Sequence, residues 1–194
     1  MKNKFNFSES IIYPKDPTAN PKRMRQYKEY YKIKYDICKK QNPKCIVEIG
    51  VRAGYSAWTF LQACPKARYI GIDANNGTHG GQGGKDGRYF KWAKKILFNY
   101  DCKFIEMDTQ KIDDLKITNV DLFHVDGDHT SAGVYHDLDL AFKAISKTGL
   151  ILVDDITYLQ SVKNGVNSWI HKMTGKITTE FISSLRGEML IRRK

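Results

Sequence analysis

From residue 44 onward, short apolar runs alternate with segments whose apolar residues recur every three or four positions. The runs at 44–49, 68–73, 103–107, 120–125 and 150–153 are nearly continuous, which predicts strands buried on both faces, as in a parallel sheet. Between them, 56–63 carries Trp58 and Leu61, and 88–100 carries Trp92, Ile96 and Tyr100. Segment 131–147 turns Val134, Leu138, Ala141, Phe142 and Ile145 to one side, and Val162, Val166, Trp169 and Ile170 mark one more helix. The runs 178–183 and 188–192 flank Arg186-Gly187 and predict a closing hairpin. This alternation predicts an α/β fold: a doubly wound, mostly parallel, seven-stranded sheet that ends in the hairpin.

Upstream the pattern differs. Residues 1–20 are irregular and punctuated by Pro14 and Pro17, with Pro21 following. Residues 22–40 read as a basic amphipathic helix. Met24, Tyr27, Tyr31, Tyr35 and Cys38 form its stripe, Tyr30, Ile33 and Ile37 widen it, and Gln41-Asn42-Pro43 stops it. The chain therefore divides into an N-terminal segment with this helix, 1–43, and an α/β domain, 44–194.

Composition narrows the class. A length of 194 residues suits one domain with a full core. No apolar run reaches the roughly 18 residues that a membrane span needs. The first residues lack a signal-peptide hydrophobic region, so a cytoplasmic location is expected. Cys38, Cys45, Cys64 and Cys102 form no CxxC pair and match no zinc spacing, which reads as reduced thiols. A net charge of +11 favours anionic partners, but the positive charge is dispersed along the chain.

The chemistry concentrates at strand ends. Asp126-Gly127-Asp128-His129 closes one strand and Asp154-Asp155 closes the next. In parallel sheets ligands bind beyond the carboxyl ends of the strands, so these groups are expected to converge on one edge. Such a gathering of carboxylates is costly without a cation, and oxygen donors without thiols favour Mg²⁺, then Mn²⁺ or Ca²⁺. His129 lies three residues after Asp126, at the spacing of a general base beside a metal-bound hydroxyl. Asp128 reads as a cap for the helix near Ser131. On the other side, Glu48-Ile49-Gly50-Val51-Arg52-Ala53-Gly54-Tyr55-Ser56 joins a strand to a helix. Its glycines let backbone approach a ligand, although the spacing is GxxxG, not GxGxxG. Asp73 ends the second strand, where a carboxylate can hold ribose hydroxyls, and Asp108 ends the third.

Glu48-x-Gly50-x-x-x-Gly54, Asp73 and Asp108 resemble the first motifs of class I S-adenosylmethionine-dependent methyltransferases, whose fold is Rossmann-like. The stretch 121–129 together with 149–155 resembles the branch that contains macrolide sugar O-methyltransferases and cephalosporin-hydroxylase-like proteins. The resemblance covers about 44–160. It implies that Glu48, Gly50, Gly54, Ser56, Asp73 and Asp108 bind S-adenosylmethionine. It also implies that Asp126, Asp154 and Asp155 ligate Mg²⁺ or Mn²⁺, and that His129 is the general base. Where the family often has Glu-Asp, this chain has Asp154-Asp155, a shorter reach at 154. The implied activity is O-methyl transfer to a small hydroxylated molecule, a sugar or glycosylated metabolite that can be anionic.

Two other readings stand beside it. A nucleic-acid methyltransferase draws on the +11 charge and the Tyr-rich basic helix, but no Asn/Asp-Pro-Pro-aromatic motif is present. A non-catalytic binding protein of the same fold is the other. Homo-oligomerisation stays open. The Gly-rich stretch 77–87, with His79 and Lys85 and with Arg88 just beyond, reads equally as an active-site lid or as a plain insertion. His124 and His136 read as structural.

Overall fold

Four of the apolar runs form the middle of the sheet because neither of their faces can meet water, whereas the run at 103–107 becomes an edge strand with none of its residues buried. The protein is seen here as a computed structural model that describes residues 5–17, 24–77, 79 and 86–194. Strands β1 (Cys45–Ile49), β2 (Arg68–Asp73), β3 (Cys102–Glu106), β4 (Val120–Val125) and β5 (Ile145–Val153) run parallel. Strands β6 (Ile177–Ile182) and β7 (Glu188–Arg193) form the antiparallel hairpin, and β7 pairs with β5. The order is β3-β2-β1-β4-β5-β7-β6, the expected seven-stranded sheet. Its direction of travel reverses between β1 and β4, the position where open α/β sheets place a ligand crevice.

Helices α1 (Met24–Gln41), α2 (Tyr55–Ala63), α3 (Arg88–Ile96), α4 (Ser131–Ala144) and α5 (Gln160–Lys172) cover the two faces. Val134, Leu138, Val166 and Trp169 of α4 and α5 pack with Val47, Phe123 and Ile151 of the sheet. Cys38 of α1, Phe60 and Leu61 of α2, and Leu97 pack on the other face with Ile46, Leu122 and Leu152. Over α1 and α2 lies the N-terminal segment. Phe7 stacks on Tyr31 with ring centroids 4.3 Å apart, and Trp92 Nε1 donates to the Ile11 carbonyl at 2.6 Å.

Three boundaries differ from the expected ones. The helix expected at 88–100 ends at Ile96, because Leu97 leaves the helix to bury itself while Phe98 stays exposed. The helix expected to reach 147 ends at Ala144. Ile145 instead turns extended and pairs with Val120, so β5 begins five residues earlier than the apolar run. On α1 the buried stripe is Tyr30, Tyr31, Lys34, Tyr35 and Cys38, so it contains a lysine. Pro21, Lys22 and Arg23 lie outside the described residues. Among those described, no helix is long and apolar enough to cross a membrane.

Candidate active site

A cavity of about 610 Å³ opens beyond the carboxyl ends of β1, β2, β4 and β5. Gly50 leaves β1 at φ +90°, and a Cβ there would stand 1.9 Å from the Asp126 carbonyl oxygen, so the backbones after β1 and β4 meet where only glycine fits. Asp73 lines the cavity. Its Oδ2 accepts the Arg52 N–H at 2.8 Å and its Oδ1 the Asn75 N–H at 2.7 Å, which fixes the carboxylate while each oxygen keeps a second lone pair. Asp108 also lines it, accepting from Gln110 N–H at 3.1 Å and pairing with Lys111 at 3.2 Å and His79 Nε2 at 3.0 Å. Ser56, in the first turn of α2, faces the same space.

Two residues expected beside the cofactor sit elsewhere. Gly54, at φ +78°, does not line the cavity; a Cβ there would meet Ala93 Cβ at 2.9 Å, so it lets α2 approach α3. Glu48 is 1% exposed and turns into the sheet. It accepts from the Tyr69 hydroxyl and lies 2.7 Å from His124 Nδ1.

The acidic end assembles in part as expected. Asp126, His129 and Asp155 line the cavity together, with His129 Nε2 3.4 Å from Asp126 Oδ1 and 3.6 Å from Asp155 Oδ2. The hydrogen bond that His129 donates to Asp126, helped by the carboxylate charge and working against burial, raises the His129 pKa to about 8. Burial, then the charges of Asp126 and Asp154, push the Asp155 carboxyl up to about 7. Asp155, two residues past β5, takes φ +63°, a left-handed conformation, and Arg186 Nη1 from the hairpin reaches its Oδ1 at 3.1 Å.

Asp154 is placed differently from expectation. It is 1% exposed and does not line the cavity. Its Oδ2 accepts from Lys34 Nζ at 3.0 Å and from the Tyr30 hydroxyl, and its Oδ1 accepts the Asp155 N–H at 2.8 Å. Burial alone would raise its pKa, but the Lys34 charge, helped by the Tyr30 hydrogen bond, holds it below the ordinary carboxylate value. Lys34 Nζ also lies 3.1 Å from His124 Nε2. An ammonium only donates, so His124 accepts at Nε2 and donates from Nδ1 to Glu48 as a neutral ring. A continuous buried chain results: Tyr69, Glu48, His124, Lys34, Asp154, Tyr30. Glu188 completes the surroundings of Lys34 at 3.8 Å.

Among the described residues, two groups of side chains bring potential metal-ligating atoms within 4.8 Å of one another: Asp126, His129 and Asp155, and His124, Asp126 and Asp154. The second already holds the Lys34 ammonium against two of its three members, and does not fit a further cation. The first faces the cavity, and its oxygen and imidazole donors fit a divalent ion.

Two more histidines, His136 and His79, are tied down. His136 Nε2 lies 3.0 and 2.8 Å from the carbonyls of Thr109 and Ile112, a structural contact. The cap of α4 is Thr130, not Asp128; Asp128 Oδ1 accepts the Thr130 N–H one step earlier. His79 spans Asp108 and Asp128, whereas Lys85 lies outside the described residues and Arg88 pairs with Asp86 at 2.7 Å. The far wall of the cavity is aromatic, from Phe7, Tyr27, Tyr30, Tyr31 and Tyr158, with Arg186 over Tyr158 at 5.0 Å. Lys34 had one signal in the sequence, a charged residue inside an apolar helical stripe. Arg186 had none beyond its place in a turn.

The sequence profile of the family described as "Methyltransferase domain" matches residues 47–156. No curated protein matches the chain. Among solved structures, the chain is similar to the O-methyltransferase TomG from Streptomyces achromogenes, involved in tomaymycin synthesis and solved with SAM. The TM-score is 0.65 at 15% identity, covering 84% of this chain and 79% of that one. It is also similar to the SAH-bound methyltransferase PaMTH1 of Podospora anserina, at 0.62 and 18% identity over 84% and 77%. An O-methyltransferase from Bacillus cereus in complex with SAH gives 0.63 at 13%, over 84% and 80%. At these identities the likeness is one of fold.

Proposed function

Because the chain belongs to the methyltransferase-domain family, we propose that it moves a methyl group from S-adenosylmethionine to a hydroxyl of a small molecule. One observation carries this reading: the Gly50, Ser56, Asp73 and Asp108 side and the Asp126, His129 and Asp155 side open into one cavity. Asp73 suits the two ribose hydroxyls, the Gly50 turn offers backbone close to the ligand, and Asp108 lies beyond them at the end of β3. The bound cofactor supplies an electrophilic methyl on a sulfonium. An acceptor hydroxyl is a poor nucleophile at neutral pH, and His129 is the group placed to take its proton. Asp126 and Asp155 then stabilise the imidazolium that forms, which is the same interaction that raises the His129 pKa.

Asp126 and Asp155 would hold a divalent ion, Mg²⁺ or Mn²⁺, whose contribution is to acidify and orient the acceptor hydroxyl. Asp154 is left out of that set. The presence of Lys34 and Arg186 favours a second reading, in which side-chain cations balance the carboxylates and His129 works without a metal. Transfer of a labelled methyl group to a panel of hydroxylated sugars and glycosides, with and without EDTA, separates the two. The aromatic wall suits the flat C–H face of a sugar ring, and Arg186 an anionic substituent. Four free thiols agree with a cytoplasmic site of action. Calorimetry with S-adenosylhomocysteine tests the whole reading; no binding heat would leave only a protein of this fold without the activity.

A further inference from the structure

Arg52 touches both halves of the cavity. It sits in the turn after β1 at φ +46°, and its backbone N–H donates to Asp73 Oδ2 at 2.8 Å. Its guanidinium forks onto Asp16, with Nη1–Oδ2 at 2.9 Å and Nη2–Oδ1 at 2.7 Å, and lies 4.5 Å from the Tyr89 ring centroid. Asp16 is 7% exposed and also accepts from the Tyr55 hydroxyl at 2.9 Å. That hydroxyl accepts the Tyr13 N–H at 2.8 Å. The N-terminal segment so fastened contributes Phe7, Ile12 and Pro17 to the cavity wall.

We propose that Arg52 and Asp16 are positioning residues that couple cofactor occupancy to closure of the acceptor pocket by residues 5–17. The inference rests on the reading of the Asp73 side as the S-adenosylmethionine site. A planar bidentate pair on a buried carboxylate fixes orientation as well as distance. A ligand held by Asp73 restrains the carboxylate that holds the Arg52 N–H, and so restrains the guanidinium that holds Asp16. The same ligand fills the space beneath Phe7, Ile12 and Pro17, giving the segment a surface to close on. Coupling of this kind is reciprocal: whatever factor the cofactor adds to closure, closure adds to cofactor affinity.

The test is hydrogen exchange of the full chain, followed by mass spectrometry with and without saturating S-adenosylhomocysteine, beside calorimetry with the same ligand. In the wild type, the ligand slows exchange of amides in 5–17 by about tenfold, within the usual range of coupling between sites. In Asp16→Asn these amides exchange fast with or without ligand, and the Kd rises by about the same factor. Arg52→Lys keeps the charge but loses the fork, and falls between. A purely structural role would shift exchange equally in the presence and absence of ligand. Ligand binding that leaves 5–17 unchanged in the wild type overturns the coupling, as does an Asp16→Asn variant with a freed segment and an unaltered Kd. Absence of binding to the wild type overturns the cofactor reading, and the coupling with it.

Discussion

Replacing Lys34 by methionine keeps the length of the side chain and removes the ammonium buried against Asp154. Lys34 and Asp154 are both 0% exposed at their side chains and 3.0 Å apart. Their attraction is on the order of 5 kcal/mol at an effective dielectric of about 20. Much of this is offset by the desolvation of both ions, so the intact pair adds little net stability. Breaking it is another matter. Asp154 keeps the Tyr30 hydroxyl and the Asp155 N–H but loses its counter-charge, and His124 Nε2 loses its donor. The expected loss is roughly 3–5 kcal/mol, the range for one partner removed from a buried pair. For a chain of this size that lowers Tm by roughly 6–20 °C. Lys34→Met/Asp154→Asn removes both charges and recovers most of the loss. Urea unfolding followed by tryptophan fluorescence measures all three variants and gives the coupling energy as a double-mutant cycle. A Lys34→Met loss below about 1 kcal/mol, the scale of a solvent-exposed pair, would refute the reasoning. So would a double variant no more stable than the single one.

Asp137 gives a pH signature of opposite sign to a salt-bridged carboxylate. Burial raises its folded pKa to about 6, so the folded state binds the proton more tightly. Its contribution is full below about pH 4 and falls as pH rises to about 6, by about 3 kcal/mol; Asp137→Asn should remove this decline from urea midpoints measured across that window. His129→Gln should lower kcat by about 10²–10⁴-fold, the usual share of a general base, while S-adenosylhomocysteine affinity stays within threefold. In the wild type the rate should rise with pH and level off above about 8 as the imidazole loses its proton; a flat pH–rate profile would count against the role. Calorimetric titration with Mn²⁺ should show binding lost in Asp126→Asn and Asp155→Asn but kept within about threefold in Asp154→Asn, and loss in the last would restore Asp154 as a ligand.

The parallel core was legible because a strand buried on both faces writes an unbroken apolar run, and four such runs stand in the chain at strand spacing. The helix ends were not, because Leu97 and Ile145 leave their helices to satisfy tertiary partners that periodicity does not encode. In the site, Gly50, Ser56, Asp73, Asp108, Asp126, His129 and Asp155 all reach the cavity, since the end of a parallel strand has only one edge to point at. Besides Gly54, which lets α2 approach α3, the exceptions are Glu48 and Asp154, both charged. Each lies next to a cavity residue in sequence, but the strand alternation and a buried partner turn it the other way. Those partners, His124 and Lys34, come from 76 and 120 residues away, beyond the reach of local pattern.

The strand-end carboxylates thus meet their cations from outside the parallel core. Lys34 comes from α1 and Arg186 from the hairpin, and they attach to adjacent residues, Asp154 and Asp155. Tyr30, one turn before Lys34 on α1, joins Asp154 and lines the cavity, while the Arg186 guanidinium lies 5.8 Å from the Tyr30 ring centroid. The two elements that flank the end of β5 are therefore held there by the same charges that shape the Asp126, His129 and Asp155 end of the cavity. A substitution chosen to retune acceptor preference at Tyr30 or Arg186 then carries a stability penalty, because each also shields or pairs a carboxylate that burial disfavours. Arg186→Leu should accordingly lower the unfolding free energy and, with Asp155 left beside Asp126, push the Asp155 carboxyl further up, so that the loss grows as pH rises through about 7, is largest on the alkaline side, and shrinks as the medium is acidified below it. Urea midpoints for this variant and the wild type between pH 5 and 8 measure it, and a difference independent of pH would mean that Arg186 contributes packing alone.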